Sequence, residues 1–196
     1  NTVEFNEQII DECDIVILAT KPQDLPGAIN EISEKFREEQ IVISLAAGIT
    51  MDALEKLIPS GRIARLMPNT PSLISRGVIG LYTQNVDESG SDLIKDIFAN
   101  LGIILEVDTE DQFDALMVSC SSGTGFVFEM MMYWQDWIQE RGFSVEEARL
   151  MTVETFIGAS LLAAQSAGID IEELQQRVTS KKGVTAAGLN SMRELE

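Results

Sequence analysis

Three short loops in the first half of the chain combine small, hydroxyl-bearing and amide side chains that suit the binding of a flat ligand. They read Ala19-Thr-Lys-Pro22, Leu45-Ala-Ala-Gly48 and Met67-Pro-Asn-Thr-Pro71. Small residues at 46–48 let the backbone approach a ring closely, Lys21 supplies a cation, and Asn69 offers a donor and an acceptor between two prolines that restrict the backbone. Each loop alone is also compatible with an ordinary tight turn. Together, the three loops favour a binding site.

A second cluster of small and hydroxyl-bearing residues interrupts the helical pattern late in the chain, at Val178-Thr-Ser-Lys-Lys-Gly-Val-Thr185. A new helix is predicted to begin near Ala186, and the N–H groups that open a helix attract anions. Lys181 and Lys182 stand beside them, so this cluster could hold a carboxylate. It is equally compatible with a capped loop between helices that carries two solvated lysines, and the residues alone do not decide.

The residue inventory excludes several other chemistries. The 196 residues include no histidine and only two cysteines, Cys13 and Cys120, so an imidazole base, a Ser-His-Asp triad and a zinc site are excluded. A net charge of −18 argues against nucleic acid and anionic membrane surfaces as partners. The polar start Asn1-Thr-Val-Glu-Phe-Asn6 and the lack of an apolar run near about 18 residues predict a soluble, cytoplasmic protein.

Alternating strand and helix patterns over residues 1–108 position the first three loops. Leu25, Ala28, Ile29, Ile32 and Phe36 predict one helical face, and Thr50 is suited to cap the next helix. This alternation predicts a parallel sheet covered by helices, in which loops at the carboxyl ends of the strands share one crevice. A third helix should bury Leu93, Ile94, Ile97, Phe98 and Leu101 on one side. Strands are predicted at residues 14–19, 41–45, 63–67, 77–84 and 103–107.

Helical signals replace the strand pattern after residue 108, which predicts a second, all-helical domain over residues 109–196. Ser144-Val-Glu-Glu147 is a capping box, and Asp170 opens a weaker second cap. Residues 126–138 are apolar over more than one helical face and include Trp134. We therefore expect this helix to be buried and also to lie in the interface of a homodimer or higher homo-oligomer.

Five motifs occur here in the order seen in pyrroline-5-carboxylate reductases, which this chain resembles over essentially its whole length. They are Ala-x-Lys-Pro-Gln, Ser-Leu-Ala-Ala-Gly, Arg-Leu-Met-Pro-Asn-Thr-Pro, a Ser/Gly-rich turn before a helix, and Ser-x-x-Gly-x-Thr. The resemblance implies a Rossmann-type parallel sheet domain, an all-helical dimerisation domain, and reduction of a cyclic imine to L-proline by NADPH or NADH in proline biosynthesis.

The resemblance also implies roles for particular residues. The substrate, a small imino acid, would be held by Ser180, Gly183, Val184 and Thr185, with the Thr185 hydroxyl near the ring nitrogen as the catalytic group. No metal is implied. The residues that would surround the cofactor are Ala19, Thr20, Lys21, Pro22, Ala46, Ala47, Gly48, Met67, Pro68, Asn69 and Thr70.

The chain departs from the family pattern in three places. Family members usually begin with a strand and a Gly-rich phosphate-binding turn, and we expect that the sequence starts beyond that unit, so that the Rossmann domain is incomplete at its N-terminus. The usual Ser-Gly-Ser-Gly-Pro-Ala-Tyr is Cys120-Ser-Ser-Gly-Thr-Gly-Phe126, and the usual Ser-Pro-Gly-Gly-x-Thr is Ser180-Lys-Lys-Gly-Val-Thr185. Two alternatives therefore stay open: a different imine or keto acid as substrate, and a non-catalytic paralogue or dimerisation module.

Overall fold

A computed structural model of the chain describes residues 10–194, so the polar start at residues 1–6 lies outside the described part. Its centre is a five-stranded sheet in the order β1-β2-β3-β4-β5. β1, β2 and β3 are parallel, β4 is antiparallel to β3, and β5 is parallel to β4. The strands are β1 (Ile15–Leu18), β2 (Ile41–Ser44), β3 (Arg62–Met67), β4 (Gly77–Gln84) and β5 (Gly102–Glu106).

All five predicted strands are confirmed within two residues, but the sheet is not parallel throughout. β3 and β4 are joined by residues 68–76 alone. A parallel pair needs a crossover of roughly a dozen residues or more, whereas a shorter connection lets the chain reverse and pair antiparallel. The loop that carries Asn69 is this reversing connection.

Helices cover both faces of the sheet and bury two apolar clusters. α1 (Leu25–Asn30) and α2 (Met51–Leu57) pack Leu25, Ile29 and Leu54 on one face. α3 (Glu88–Phe98) packs Ile94 against the other face. The predicted cap of α2 is confirmed, because the Thr50 hydroxyl accepts a hydrogen bond from the Ala53 N–H at 3.2 Å.

Two helical predictions need correction. α1 ends at Asn30 rather than reaching Phe36, and a 3-10 turn at Ser33–Lys35 follows. The Ser33 hydroxyl donates to the Asn30 carbonyl, which competes with continued helix, although Phe36 is still buried. The buried stripe of α3 is narrower than predicted, because Leu93 and Ile97 are each 45% exposed.

The remainder of the described chain is helical, as predicted. α4 (Glu110–Leu116), a π-helical segment (Met117–Ser122) and α5 (Gly123–Glu140) form one continuous helix, which α6 (Val145–Gln165), α7 (Ile171–Arg177) and α8 (Val184–Arg193) follow. The capping box is confirmed, since Ser144 and Glu147 each accept from the other's backbone N–H. Asp170 occupies the N-cap position of α7 without a side-chain bond.

The chain divides into two compact units, Asn1–Val127 and Phe128–Glu196. This division falls inside the continuous helix, so α4 and the π-helical segment pack with the sheet. The sequence places the change from sheet to helical domain earlier, between residues 108 and 109, and that boundary stays a prediction.

The continuous helix Glu110–Glu140 is, by length and composition alone, apolar enough to cross a membrane. Helices that pack in soluble proteins meet the same criterion. The sequence prediction that residues 126–138 are buried is wrong for the single chain, since Phe126, Met132, Trp134 and Trp137 are between 42% and 59% exposed. This helix therefore presents apolar surface that a second surface would have to cover.

Candidate functional site

The carboxyl ends of β1, β2 and β3 lie side by side at one edge of the sheet. Leu18 pairs with Ser44, and Ser44 pairs with Arg65, so the three strands end nearly level. The loops at residues 19–22, 45–48 and 67–71 leave the sheet from this edge. The fold thus brings together all eleven residues predicted to surround a cofactor, in the place where open α/β sheets bind ligands.

The loop after β1 closes a turn into α1 and leaves its side chains outward. The Lys21 carbonyl accepts hydrogen bonds from the N–H groups of Asp24 and Leu25, at 2.9 and 3.1 Å. The side chains of Ala19, Thr20 and Lys21 are exposed. A surface depression against β1 includes Ala19 and Thr20 in its lining. A ligand at the sheet edge could therefore reach the Lys21 ammonium.

The loop after β2 presents backbone rather than side chains. Ala46 is buried, and its N–H donates to the Ser44 hydroxyl at 3.3 Å. Ala47 and Gly48 are exposed, and Gly48 has φ +73°, a left-handed conformation that L side chains rarely adopt. No atom lies within 4 Å of the position that a Cβ on Gly48 would take. The space beside this loop is therefore open to a flat group.

The sequence suggested that the Asn69 side chain is available to a ligand. In the structure, it instead holds the loop after β3 in place. Its Nδ2 donates to the Cys120 carbonyl at 3.1 Å, and its Oδ1 accepts from the Val78 N–H at 3.0 Å. The Cys120 carbonyl also accepts from the Thr124 hydroxyl at 3.0 Å. Asn69 thus joins the loop to the start of β4 and to the π-helical segment, a rare conformation that is frequent at functional sites.

Sequence reasoning missed Arg65 and Glu110, which lie beneath these loops. The Arg65 side chain is 2% exposed, and its Nη1 donates to Glu110 Oε1 at 2.5 Å. The same oxygen accepts from the Met51 N–H at 2.6 Å. Arg65 could have been found from the sequence, because it is a charged residue within an otherwise mostly apolar strand. Such a residue is almost never fully buried without a partner, so an acidic partner should have been sought.

The predicted substrate residues lie in the second unit and form a turn that leads into α8. The Gly183 N–H donates to the Ser180 carbonyl at 2.9 Å, and Lys182 has φ +64°. A Cβ on Gly183 would overlap the Ser180 hydroxyl in its present rotamer, so a larger residue there would require the Ser180 side chain to rotate. Thr185 is exposed in the first turn of α8, which begins at Val184 rather than near Ala186. The joint use of this turn with the sheet-edge loops stays a prediction.

Two family models match the chain. The model described as pyrroline-5-carboxylate reductase dimerisation matches residues 110–196, and the model described as NADP oxidoreductase, coenzyme F420-dependent, matches residues 1–48. Pyrroline-5-carboxylate reductase of Pseudomonas aeruginosa is 33% identical over 97% of this chain and 70% of that protein. The enzyme of the same name from Arabidopsis thaliana is 30% identical over 98% of this chain and 69% of that protein.

Solved structures agree with the sequence relatives. A pyrroline-5-carboxylate reductase from Coxiella burnetii has a TM-score of 0.88 and 31% identity, and the match covers 99% of this chain and 73% of that one. Plasmodium falciparum pyrroline carboxylate reductase with NADP bound has a TM-score of 0.89 and 26% identity, over 99% of this chain and 74% of that one.

Proposed function

The chain belongs to the pyrroline-5-carboxylate reductase family, and on that premise we propose that it reduces the ring imine of pyrroline-5-carboxylate to L-proline with NADPH or NADH. The observation that carries this function is the convergence of three small-residue loops at the carboxyl edge of β1, β2 and β3. The absence of histidine is compatible with this chemistry, which needs alignment of two reactants more than a protein nucleophile.

The residues at the sheet edge fit a nicotinamide dinucleotide. The open space beside Gly48 and the exposed Ala47 accommodate a flat ring, and Lys21 offers a cation for a phosphate. When bound, the cofactor supplies the hydride. Ala46 to Gly48 and Met67 to Thr70 would orient the ring and exclude water from one of its faces. Asn69 would act by fixing its own loop, because its amide is bonded to Val78 and Cys120.

The turn at Ser180 to Thr185 would hold the substrate. The first N–H groups of α8 are suited to a carboxylate, and the exposed Thr185 hydroxyl is suited to donate to the ring nitrogen as it becomes an amine. In this arrangement the chain binds and orients the imine, while Thr185 stabilises the product-like nitrogen.

The direct test is NADPH oxidation by full-length protein with and without pyrroline-5-carboxylate, with proline identified by chromatography. Substrate-dependent oxidation with equimolar proline is expected, and NADH should be tested in parallel. A folded protein that consumes neither cofactor would contradict the proposal and favour the non-catalytic alternative.

A second candidate is reduction of a more acidic or longer imine or keto acid. It is favoured by Lys181 and Lys182, which are exposed in the turn where the family usually has Pro-Gly. Two cations beside the helix start would favour a second carboxylate on the substrate. Comparing kcat/KM for pyrroline-5-carboxylate with that for a dicarboxylic analogue separates the candidates, since this alternative requires the analogue to be the better substrate.

We further propose that copies of the chain assemble through the helical region into a homodimer or higher oligomer. The apolar surface of α5 supports this, because Trp134 packs edge to face on Phe156 at 6.0 Å yet stays 42% exposed. We also propose that the protein is cytoplasmic, and cover by a second copy would then explain why it contains a helix apolar enough for a membrane. The net charge of −18 further disfavours nucleic acid and anionic membranes as partners.

A further inference from the structure

We propose that Glu110 and Arg65 are positioning residues for hydride transfer, which set the spacing between the loop at residues 46–48 and the loop at residues 67–70. This proposal rests on the proposed function. Neither residue is predicted to contact the cofactor or the substrate, so both would act through the loops that do.

One carboxylate oxygen of Glu110 bonds to two different elements. Glu110 Oε1 lies 2.6 Å from the Met51 nitrogen and 2.5 Å from Arg65 Nη1. Met51 is the first residue of α2, three positions after Gly48, and Arg65 lies in β3, two positions before Met67. Glu110 itself opens α4. The oxygen therefore joins the exit of one predicted nicotinamide loop to the entrance of the other.

The environment of Arg65 makes this junction rigid. Its side chain is 2% exposed, and its Cζ lies 4.4 Å from the centroid of the fully buried Phe113 ring. Asp114 is a second acidic neighbour at 3.8 Å. If Glu110 moved away, the buried guanidinium would exchange a short ion pair for the longer contact to Asp114, so alternative positions of Glu110 are disfavoured.

The continuous helix that Glu110 opens also holds the loop at residues 67–70 by a second contact. α4 continues into the π-helical segment, whose Cys120 carbonyl accepts from Asn69. The loop at residues 67–70 is thus held by Arg65 before it and by Asn69 within it, and both bonds end on one continuous helix. Hydride transfer requires near-contact geometry, so a shift of these loops should slow the chemical step more than it weakens binding.

The test compares full-length wild type with Glu110→Ala and Glu110→Gln, and with Glu106→Ala as a matched control. Glu106 also forms an ion pair, to Lys95 at 2.6 Å, but it joins β5 to α3. Glu110→Ala should lower kcat by about 100-fold, the loss that misplacement by about 1 Å can cause, with KM for pyrroline-5-carboxylate changed less than about threefold. Glu110→Gln retains an acceptor and should lose roughly three- to tenfold in kcat.

A second readout separates positioning from loss of stability. With NADPH deuterated at the transferred hydrogen, the isotope effect on kcat should rise in both Glu110 variants and stay at the wild-type value in Glu106→Ala. A kcat for Glu110→Gln equal to that of wild type, or a loss in Glu106→Ala as large as in Glu110→Ala, would overturn the proposal. If Glu110→Ala does not fold, Glu110→Gln decides alone.

If the wild-type protein is inactive, the proposed function is wrong, but the positioning role of Glu110 can still be tested. Amide hydrogen exchange at residues 46–51 and 67–70 would then decide whether Glu110 positions the loops. Exchange should be faster in Glu110→Gln than in Glu106→Gln at equal global stability. Equal exchange in these two variants would reject the positioning role.

Discussion

Asn69 offers the sharpest test of how the site is held, because one substitution removes both of its hydrogen bonds and another alters only one of them. Asn69→Ala leaves the Val78 N–H without its 3.0 Å acceptor and removes a 3.1 Å bond to Cys120. An orphaned N–H costs about 1–3 kcal/mol and a lost amide–carbonyl bond about 1 kcal/mol, so destabilisation should be about 2–4 kcal/mol. For a chain of this size that corresponds to a fall in Tm of about 4–16 °C.

Differential scanning calorimetry of wild type, Asn69→Ala and Asn69→Asp measures this effect. Asn69→Asp keeps the acceptor for Val78 but replaces the donor to the Cys120 carbonyl by a carboxylate oxygen that repels it, so its effect arises at the Cys120 contact. Gln112→Ala is the matched control, since it removes another carboxamide that accepts one backbone bond, from Asp108 at 2.9 Å, on an exposed surface. If Asn69→Ala lowers Tm no more than Gln112→Ala, the inference that Asn69 fixes the loop is wrong.

Three further changes test the substrate turn, the assembly and the charges. Thr185→Val should keep the fold and NADPH affinity but lower kcat with pyrroline-5-carboxylate roughly ten- to two-hundred-fold, and wild-type turnover would exclude the hydroxyl from the mechanism. Trp134→Glu should lower the mass measured by light scattering while Trp134→Phe preserves it, and an unchanged mass with unchanged Tm would exclude Trp134 from interface and core. The hydrogen bond from Lys95 lowers the pKa of Glu106 below its ordinary 4.5. The ionised Glu106 therefore stabilises the fold above pH 4.5, and this stabilisation should be lost as the pH falls through the lowered pKa of Glu106. Urea unfolding across this range should show a steeper loss in wild type than in Glu106→Gln, and parallel losses would contradict the assignment.

The strands could be predicted because their signal is local. β2 is apolar except for Ser44 and all four of its residues are buried, which is the pattern expected within a covered sheet. The direction of β4 is not encoded in its own residues, since it depends on the length of the connection from Met67 to Gly77. The early end of α1 depends on competition between the Ser33 hydroxyl and the backbone, which helical periodicity does not include.

The site was predictable only where it consists of backbone and small side chains. The sequence indicates the loop Ala46 to Gly48 as a candidate, because few residues other than alanine and glycine let a ligand approach the backbone closely after a strand. The bond between Arg65 and Glu110 joins residues 45 positions apart, and that between Asn69 and Cys120 spans 51 positions. Such pairs are chosen by the fold, so a single sequence shows the partners without showing that they meet.

The turn at Ser180 to Gly183 combines a departure from the family's usual sequence with a defined, hydrogen-bonded backbone. Lys181 and Lys182 stand where the family usually has Pro-Gly, and here the Gly183 N–H donates to the Ser180 carbonyl while Lys182 adopts φ +64°. A lysine in that conformation costs about 1–2 kcal/mol relative to a right-handed one, and a glycine would avoid the cost. The cost coincides with two exposed cations beside the start of α8 in a chain of net charge −18. Because local positive charge raises the local concentration of anions, the proposed substrate turn would favour a carboxylate through its side chains as well as through its backbone.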